Sequence, residues 1–194
     1  MVNMVFVGLD LSITSTGVSF STGEHFVVKT SPKDNLYDRI KQIIKTIFDV
    51  INKYVEEYGR ENILVGIEGY SYSSVSSNAT KLHELGGNIR FQLHIKGIQF
   101  FDIAPNSWKK YLFGSEKIPK ATAKDLILLK TYKRYEMEFV DNNICDAYNI
   151  MKFVEMAYLY NIGEDEDFKI HEKDQFSRFF KGKNIKFYNS ETNI

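Results

Sequence analysis

The sequence predicts an α/β fold with a five-stranded mixed sheet flanked by helices. Three observations carry this expectation. Five short apolar runs have strand length, long stretches repeat their apolar residues at helical spacing, and after an all-strand beginning the two kinds alternate along the chain.

Residues 4–9 (MVFVGL) form the first apolar run, which ends at Asp10. Residues 17–21 and 25–29 follow as two further strands around Thr22-Gly23, a pair suited to a tight hairpin turn. The chain therefore opens as a three-stranded antiparallel unit. From Asn35 to Tyr58 the period changes: Leu36, Ile40, Ile43, Ile44, Ile47, Ile51, Tyr54 and Val55 recur at helical spacing, and Gly59 supplies a stop. Residues 63–68 (ILVGIE) make a fourth strand ending in Glu68. A Ser/Tyr-rich loop then leads into a helix over 79–96, and 97–103 (GIQFFDI) is the fifth strand. After Pro105 the pattern predicts a short helix containing Trp108, a loop over 114–119, a helix over 121–134 and a last strong helix over 143–160. That last helix buries Ile144, Ala147, Tyr148, Met151, Val154 and Tyr158. Past Gly163 an acidic stretch gives way to a basic, aromatic one. Residues 1–162 are read as one domain, and 163–194 as an extension whose terminal helix, with Phe176, Phe179 and Phe180, packs on it.

At 194 residues and 43% hydrophobic, the chain is long enough to bury one sizeable core. Its 25 basic and 25 acidic residues cancel, so net charge gives no general attraction to nucleic acid, and a DNA surface must come from local segregation of charge. One cysteine, Cys145, rules out an internal disulfide and suits a reducing cytoplasm, where it is read as a small buried residue. His25, His83, His94 and His171 lack paired zinc-ligand spacing. The first ten residues have no basic n-region, which argues against a signal peptide, and no apolar stretch approaches the ~18 residues of a membrane span.

Three acidic residues lie where such a fold gathers ligands. Asp10 and Glu68 end strands, and ligands of open α/β sheets collect at the carboxyl ends of strands; Asp146 lies near the start of the final helix. Taken singly, each has a plainer reading as a turn residue, an ion-pair partner or a helix N-terminal charge. Together, set behind apolar residues, they would be costly to bury without a cation. Mg²⁺ takes oxygen ligands from one or two carboxylates, water and phosphate, and two such ions roughly 4 Å apart activate a water and stabilise the departing oxygen of a phosphodiester.

Several segments in order resemble the RuvC family of Holliday-junction resolvases. GLDLSITSTGVS (8–19) is similar to its first motif, in which Asp is followed by small residues and a TG turn. Residues 65–93 resemble the second, a strand-terminal Glu followed by a loop and a helix entered through small and polar residues. Residues 101–114 and 120–127 resemble the segment that ends the fifth strand and supplies lysines, and 141–151 (DNNICDAYNIM) the closing motif. The first motif alone is shared with sugar kinases and actin-like ATPases; the ordered set over 4–156 is specific. The resemblance implies a ribonuclease H-like fold, a phage-type member fitting so short and self-contained a chain. It also implies Asp10, Glu68 and Asp146 as ligands of two Mg²⁺ ions, for which Mn²⁺ can substitute, and a homodimer that nicks branched DNA, four-way junctions first and also flaps, Y-branches or forks. It matches Lys124, and Lys109 or Lys110, to lysines set against the phosphates of the scissile strand.

One position departs from the family. A fourth ligand, Asp or His, is usual three residues before the final Asp, and here that residue is Asn143. Asp141 lies five residues before Asp146, about 140° round an ideal helix, but reaches the metal if the helix starts after it. Asp141 and Asn143 therefore both remain candidate ligands.

The strongest charge segregation runs from Lys109 to Arg134. Lys109, Lys110, Lys117, Lys120, Lys124, Lys130, Lys133 and Arg134 face only Glu116 and Asp125, and this stretch is the candidate phosphate-binding surface. Tyr70 and Tyr72, in the loop after Glu68, are candidates for stacking on unpaired bases. Gly86-Gly87 permits close approach of a DNA backbone or of a partner subunit. Two other readings compete with a nuclease: an actin-like kinase, which would need a second phosphate loop that the chain lacks, and a junction-binding module without catalysis, which Asn143 keeps open.

Overall fold

Alternation along the first strand decides where its last residue points. In β1 (Val5–Asp10), Val5, Val7 and Leu9 enter one apolar cluster and Phe6 enters a second on the opposite face. Gly8 and Asp10 share the parity of Phe6 and so belong to that second face. These observations come from a computed structural model that describes residues 4–69, 77–114, 116 and 118–181, with the backbone alone at 77, 78 and 120.

β2 (Ser15–Phe20) and β3 (His25–Lys29) complete the antiparallel opening unit, joined by a turn in which Gly23 takes φ 96°. β4 (Ile63–Glu68) pairs parallel with β1, and β5 (Gln99–Ile103) parallel with β4, giving the order β3-β2-β1-β4-β5. The sheet is mixed and five-stranded, as predicted. β5 starts later than expected because Gly97, at φ 66°, closes the preceding helix with a bond to the His94 carbonyl.

Helices cover both faces. On one side lie α1 (Leu36–Tyr58) and α2 (Ser77–Ile95). The Asn35 side chain caps α1 by accepting from the Asp38 amide, and Gly59 closes it at φ 84°. Ile40, Ile43, Ile47 and Ile51 of α1 meet Leu85, Ile89 and Leu93 of α2 over Val5, Val7 and Leu9. On the other side lie α3 (Pro105–Phe113), α4 (Ala123–Tyr135), α5 (Asn142–Ile162) and α6 (Ile170–Phe180). A 3₁₀ turn, Lys120–Thr122, occupies the predicted start of α4.

α5 is buried on more of its circumference than one amphipathic face explains. Cys145, Asn149, Ile150, Phe153 and Ala157 join Ala147, Tyr148, Met151 and Val154 inside, whereas Ile144 and Tyr158 are only half-buried, contrary to the predicted face. The reason is that α5 lies between the sheet and the outer helices: α3, α4 and α6 all pack against it. Phe176 and Phe179 of α6 fill the outer side, Phe176 against Tyr111 and both against Phe153. Cys145 is fully buried beside the Thr131 hydroxyl, and burial pushes its thiol up to about 11. Among the described residues no helix is long and apolar enough to cross a membrane.

Candidate active site

β1 and β4 run in register from Val5 opposite Ile63 to Leu9 opposite Ile67. The next residues, Asp10 and Glu68, therefore stand side by side at the carboxyl edge of two neighbouring parallel strands. Both point to the face that α5 covers, and α5 brings Asp146 over them. This approach needs residues without side chains beneath the helix. A Cβ on Gly8 would overlap the Ala147 carbonyl and lie 2.5 Å from the Met151 amide nitrogen; one on Gly17 would lie 2.5 Å from the Asn143 carbonyl carbon. Gly8 thus seats the helix one residue past Asp146.

The three carboxylates feel one another. Burial, reinforced by repulsion from Glu68 and Asp146, pushes Asp10 up to about 8, against the pull of Lys109 and Lys124. Burial also raises Asp146, to about 6, with Lys109 and Lys124 opposing and Glu68 adding to it. Glu68 is raised by burial, against an indole hydrogen bond and Lys109. That bond comes from Trp108 Nε1, which donates to Glu68 Oε1 at 3.2 Å, and the Lys109 ammonium lies 4.9 Å from the Trp108 ring centre. The sequence placed Trp108 only on a short helix. Its role has no signature in spacing, because it depends on how α3 crosses the end of β4.

Asp141 and Asn143 are otherwise engaged. α5 begins after Asp141, whose Oδ1 caps it by accepting from the Asn143 amide at 2.8 Å and from Asn143 Nδ2 at 2.9 Å. Burial works against the Asp141 charge, but the donors of Asn143 and Ile144, with Lys29 nearby, hold it below the usual carboxylate range. Asn143 Nδ2 also reaches Ser15 Oγ at 3.1 Å, tying the start of α5 to β2. No described hydrogen bond links either residue to Asp10, Glu68 or Asp146.

The basic stretch divides. Lys109 on α3 and Lys124 in the first turn of α4 flank the carboxylates. Lys110 faces away, into a cleft between α3, α4 and α6 that Lys130 and Arg134 also line. Lys130 pairs with Glu116 at 2.6 Å, and Lys133 is exposed on the last turn of α4. Arg134 has a different occupation from the expected phosphate contact: it pairs with Glu172 of α6, donates to the Tyr111 carbonyl and stacks 4.2 Å from that ring's centre. Tyr70, Tyr72, Lys117 and the Lys120 side chain lie outside the described residues.

The Arg134–Glu172 pair fastens the extension to the domain. Burial disfavours the Glu172 charge, yet the Lys169 amide and the Arg134 guanidinium outweigh it and hold the carboxyl below its ordinary value. A depressed carboxyl stabilises the fold above the unfolded pKa of about 4.3, and this contribution is lost as pH falls through the folded value. Glu172→Gln is expected to lower stability near neutral pH by roughly 1–3 kcal/mol and to flatten the acid limb of a melting-temperature profile. An acid limb identical to that of the parent would remove the pair from the stability of α6.

The donor set fits hard divalent cations: three carboxylates, half-buried and mutually repelling. Among the described residues no three His, Cys, Asp or Glu side chains are gathered closely enough to hold an ion as they stand.

A family model described as Lactococcus phage M3 protein matches residues 5–156, from the start of β1 into α5. The chain belongs to this family. The matched stretch contains all three carboxylates and leaves α6 outside. No curated protein sequence matches the chain. Among solved structures, Thermus thermophilus RuvC aligns with TM-score 0.63 at 20% identity, covering 82% of this chain and 97% of that one. The T. thermophilus RuvC in complex with a Holliday junction substrate aligns with TM-score 0.62 at 18% identity, covering 82% and 96%. The yeast mitochondrial Holliday junction resolvase Ydc2 aligns with TM-score 0.46 at 11% identity, covering 90% and 81%. The fold is thus the ribonuclease H-like fold of RuvC.

Proposed function

We propose that the chain is a divalent-metal-dependent endonuclease that nicks branched DNA, four-way junctions foremost, as a homodimer. The observation that carries this reading is the convergence of Asp10, Glu68 and Asp146 with Lys109 and Lys124 at the carboxyl edge of β1 and β4. The junction as substrate is carried over from the RuvC structure solved with one.

Asp10, Glu68 and Asp146 would hold two Mg²⁺ or Mn²⁺ ions, which when bound supply an activated water and charge stabilisation at the departing oxygen. Lys109 and Lys124 attract the phosphodiester to the cleft and offset the carboxylate charge before it arrives. Trp108 fixes one Glu68 oxygen, leaving the other to turn toward a ligand. Gly8 sets the depth at which Asp146 is presented.

For the homodimer, α2 offers a face. Gly87 has open space around it, and Phe91 and Ile95, one and two turns further on, are 60% and 56% exposed. Two copies meeting there would give two cutting sites for opposed strands.

Incubation of a synthetic four-way junction with Mg²⁺ or Mn²⁺ tests the reading. Paired, symmetric nicks are expected; an intact junction with both metals and a folded protein would overturn it. Trp108→Phe keeps an aromatic ring, though a smaller one, and removes the donor. Loss of this support is expected to weaken divalent-metal affinity and cutting by about 10–100-fold while circular dichroism stays unchanged. An unaltered metal titration would detach Trp108 from the site.

A further inference from the structure

On the α1–α2 side of the sheet, just past Asp10, lies a cavity of about 460 Å³ lined by Ser12, Ile13, Thr14, Arg39 and Lys81, with apolar walls from Leu11, Pro32 and Leu82. Its charged lining is entirely positive. Arg39 is only 8% exposed, yet among the described residues no carboxylate pairs with it or with Lys81. Its guanidinium donates to neutral oxygens: Nε to Thr30 Oγ1 at 2.9 Å and Nη2 to the Ile13 carbonyl at 3.1 Å. A guanidinium has five N–H donors, and among the described residues these two bonds leave most of them without a partner. A buried cation left without a counter-charge is costly, and a phosphate oxygen is the ligand that a planar guanidinium fork suits. Ser12 and Thr14 add hydroxyls to the same wall, held 3.2 Å apart.

Position supports the same occupant. Ser12 is two residues beyond Asp10, so their Cα atoms are at most about 7 Å apart, roughly two rises of a nucleic-acid strand; a strand passing the carboxyl edge of β1 would meet the carboxylates on one face of the sheet and the cavity on the other. We propose that this cavity binds a backbone phosphate of the DNA strand, one or two nucleotides from the phosphate at the carboxylates. The proposal rests on the nuclease reading for the identity of that strand. Arg39 also fastens α1 to the β1–β2 connection, whereas no described bond gives Lys81 a structural task, so Lys81 is the residue to change.

The test is binding of a fluorescent four-way junction without divalent metal, across a salt series. Each phosphate contact contributes about 0.9 to the slope of log affinity against log salt. Lys81→Gln is expected to lower affinity and reduce the slope by about that amount, and Lys81→Arg to restore both. An unchanged slope and affinity in a folded Lys81→Gln protein would overturn the proposal. In a parallel arm, inorganic phosphate is titrated while the Arg39 Nε–H resonance is followed. A shift there, combined with an unchanged junction slope, would assign the cavity to a free phosphate group and also overturn the strand contact. Cutting is not a readout, so a junction that binds with the expected slope change but is never nicked would sink the nuclease reading and leave this contact standing.

Discussion

Asp10→Asn is expected to abolish junction cutting, by about three orders of magnitude or more, while junction binding stays within a few-fold of the parent. The rate loss follows from the several kcal/mol that metal-held charge contributes to phosphodiester hydrolysis, at tenfold per 1.36 kcal/mol. The substitution has a second expected result that does not depend on activity. Asp10 is held near 8 in the fold against an unfolded value of about 3.9. A raised carboxyl gives its full stability below the unfolded value and loses it as pH rises toward 8. At neutral pH without divalent ions, removing this acid should therefore stabilise the protein, at about 2–4 °C of melting temperature per kcal/mol for a chain of this length. Mg²⁺ should then raise the melting temperature of the parent and leave the variant nearly unmoved. An Asn variant that melts lower than the parent in chelator, or responds equally to Mg²⁺, would separate Asp10 from the metal site.

Gly8→Ala should have the larger structural effect. Its methyl meets backbone atoms of Ala147 and Met151, which cannot swing aside as a flexible side chain can. The helix must lift or the strand must sink, at about 3 kcal/mol or more. The expected signs are a melting temperature lower by roughly 6–12 °C and a loss of cutting far beyond what the unfolded fraction explains, because Asp146 moves with the helix. A variant that melts normally and cuts normally would mean that α5 can ride higher without consequence.

Much of this arrangement is legible in the residues. The strand ends at Asp10 and Glu68 follow from apolar runs that stop at a carboxylate. The five strands and the main helices follow from periodicity, because each element buries one recognisable set of side chains. What was hidden is what depends on three bodies at once. The periodicity of α5 gives it one buried face; its outer side is buried by Tyr111, Phe176 and Phe179, on helices that its own sequence does not mention. Arg134 sits in a run of lysines, and only the placement of α6 draws it to Glu172. Trp108 became a partner of Glu68 through the crossing of α3 over β4. Among Lys109 and Lys110, adjacent residues that an ordered motif cannot separate, the helix turns the first toward the carboxylates and the second toward the α6 cleft.

The position of α5 across the middle of the sheet also governs the order in which the molecule becomes complete. All five strands and both helices of the α1–α2 side precede it in the chain. A ribosome that has not yet released residue 142 onward can pair the whole sheet and cover one of its faces. The other face, with Phe6, Leu64, Phe101 and Ile103, still lacks the side chains of Ile150, Met151 and Val154. Such a nascent chain exposes apolar surface and is open to aggregation. It also holds only two of the three carboxylates of the proposed metal site. A product terminated before Asn142 is for the same reason expected to aggregate and, on the proposed function, to cut nothing.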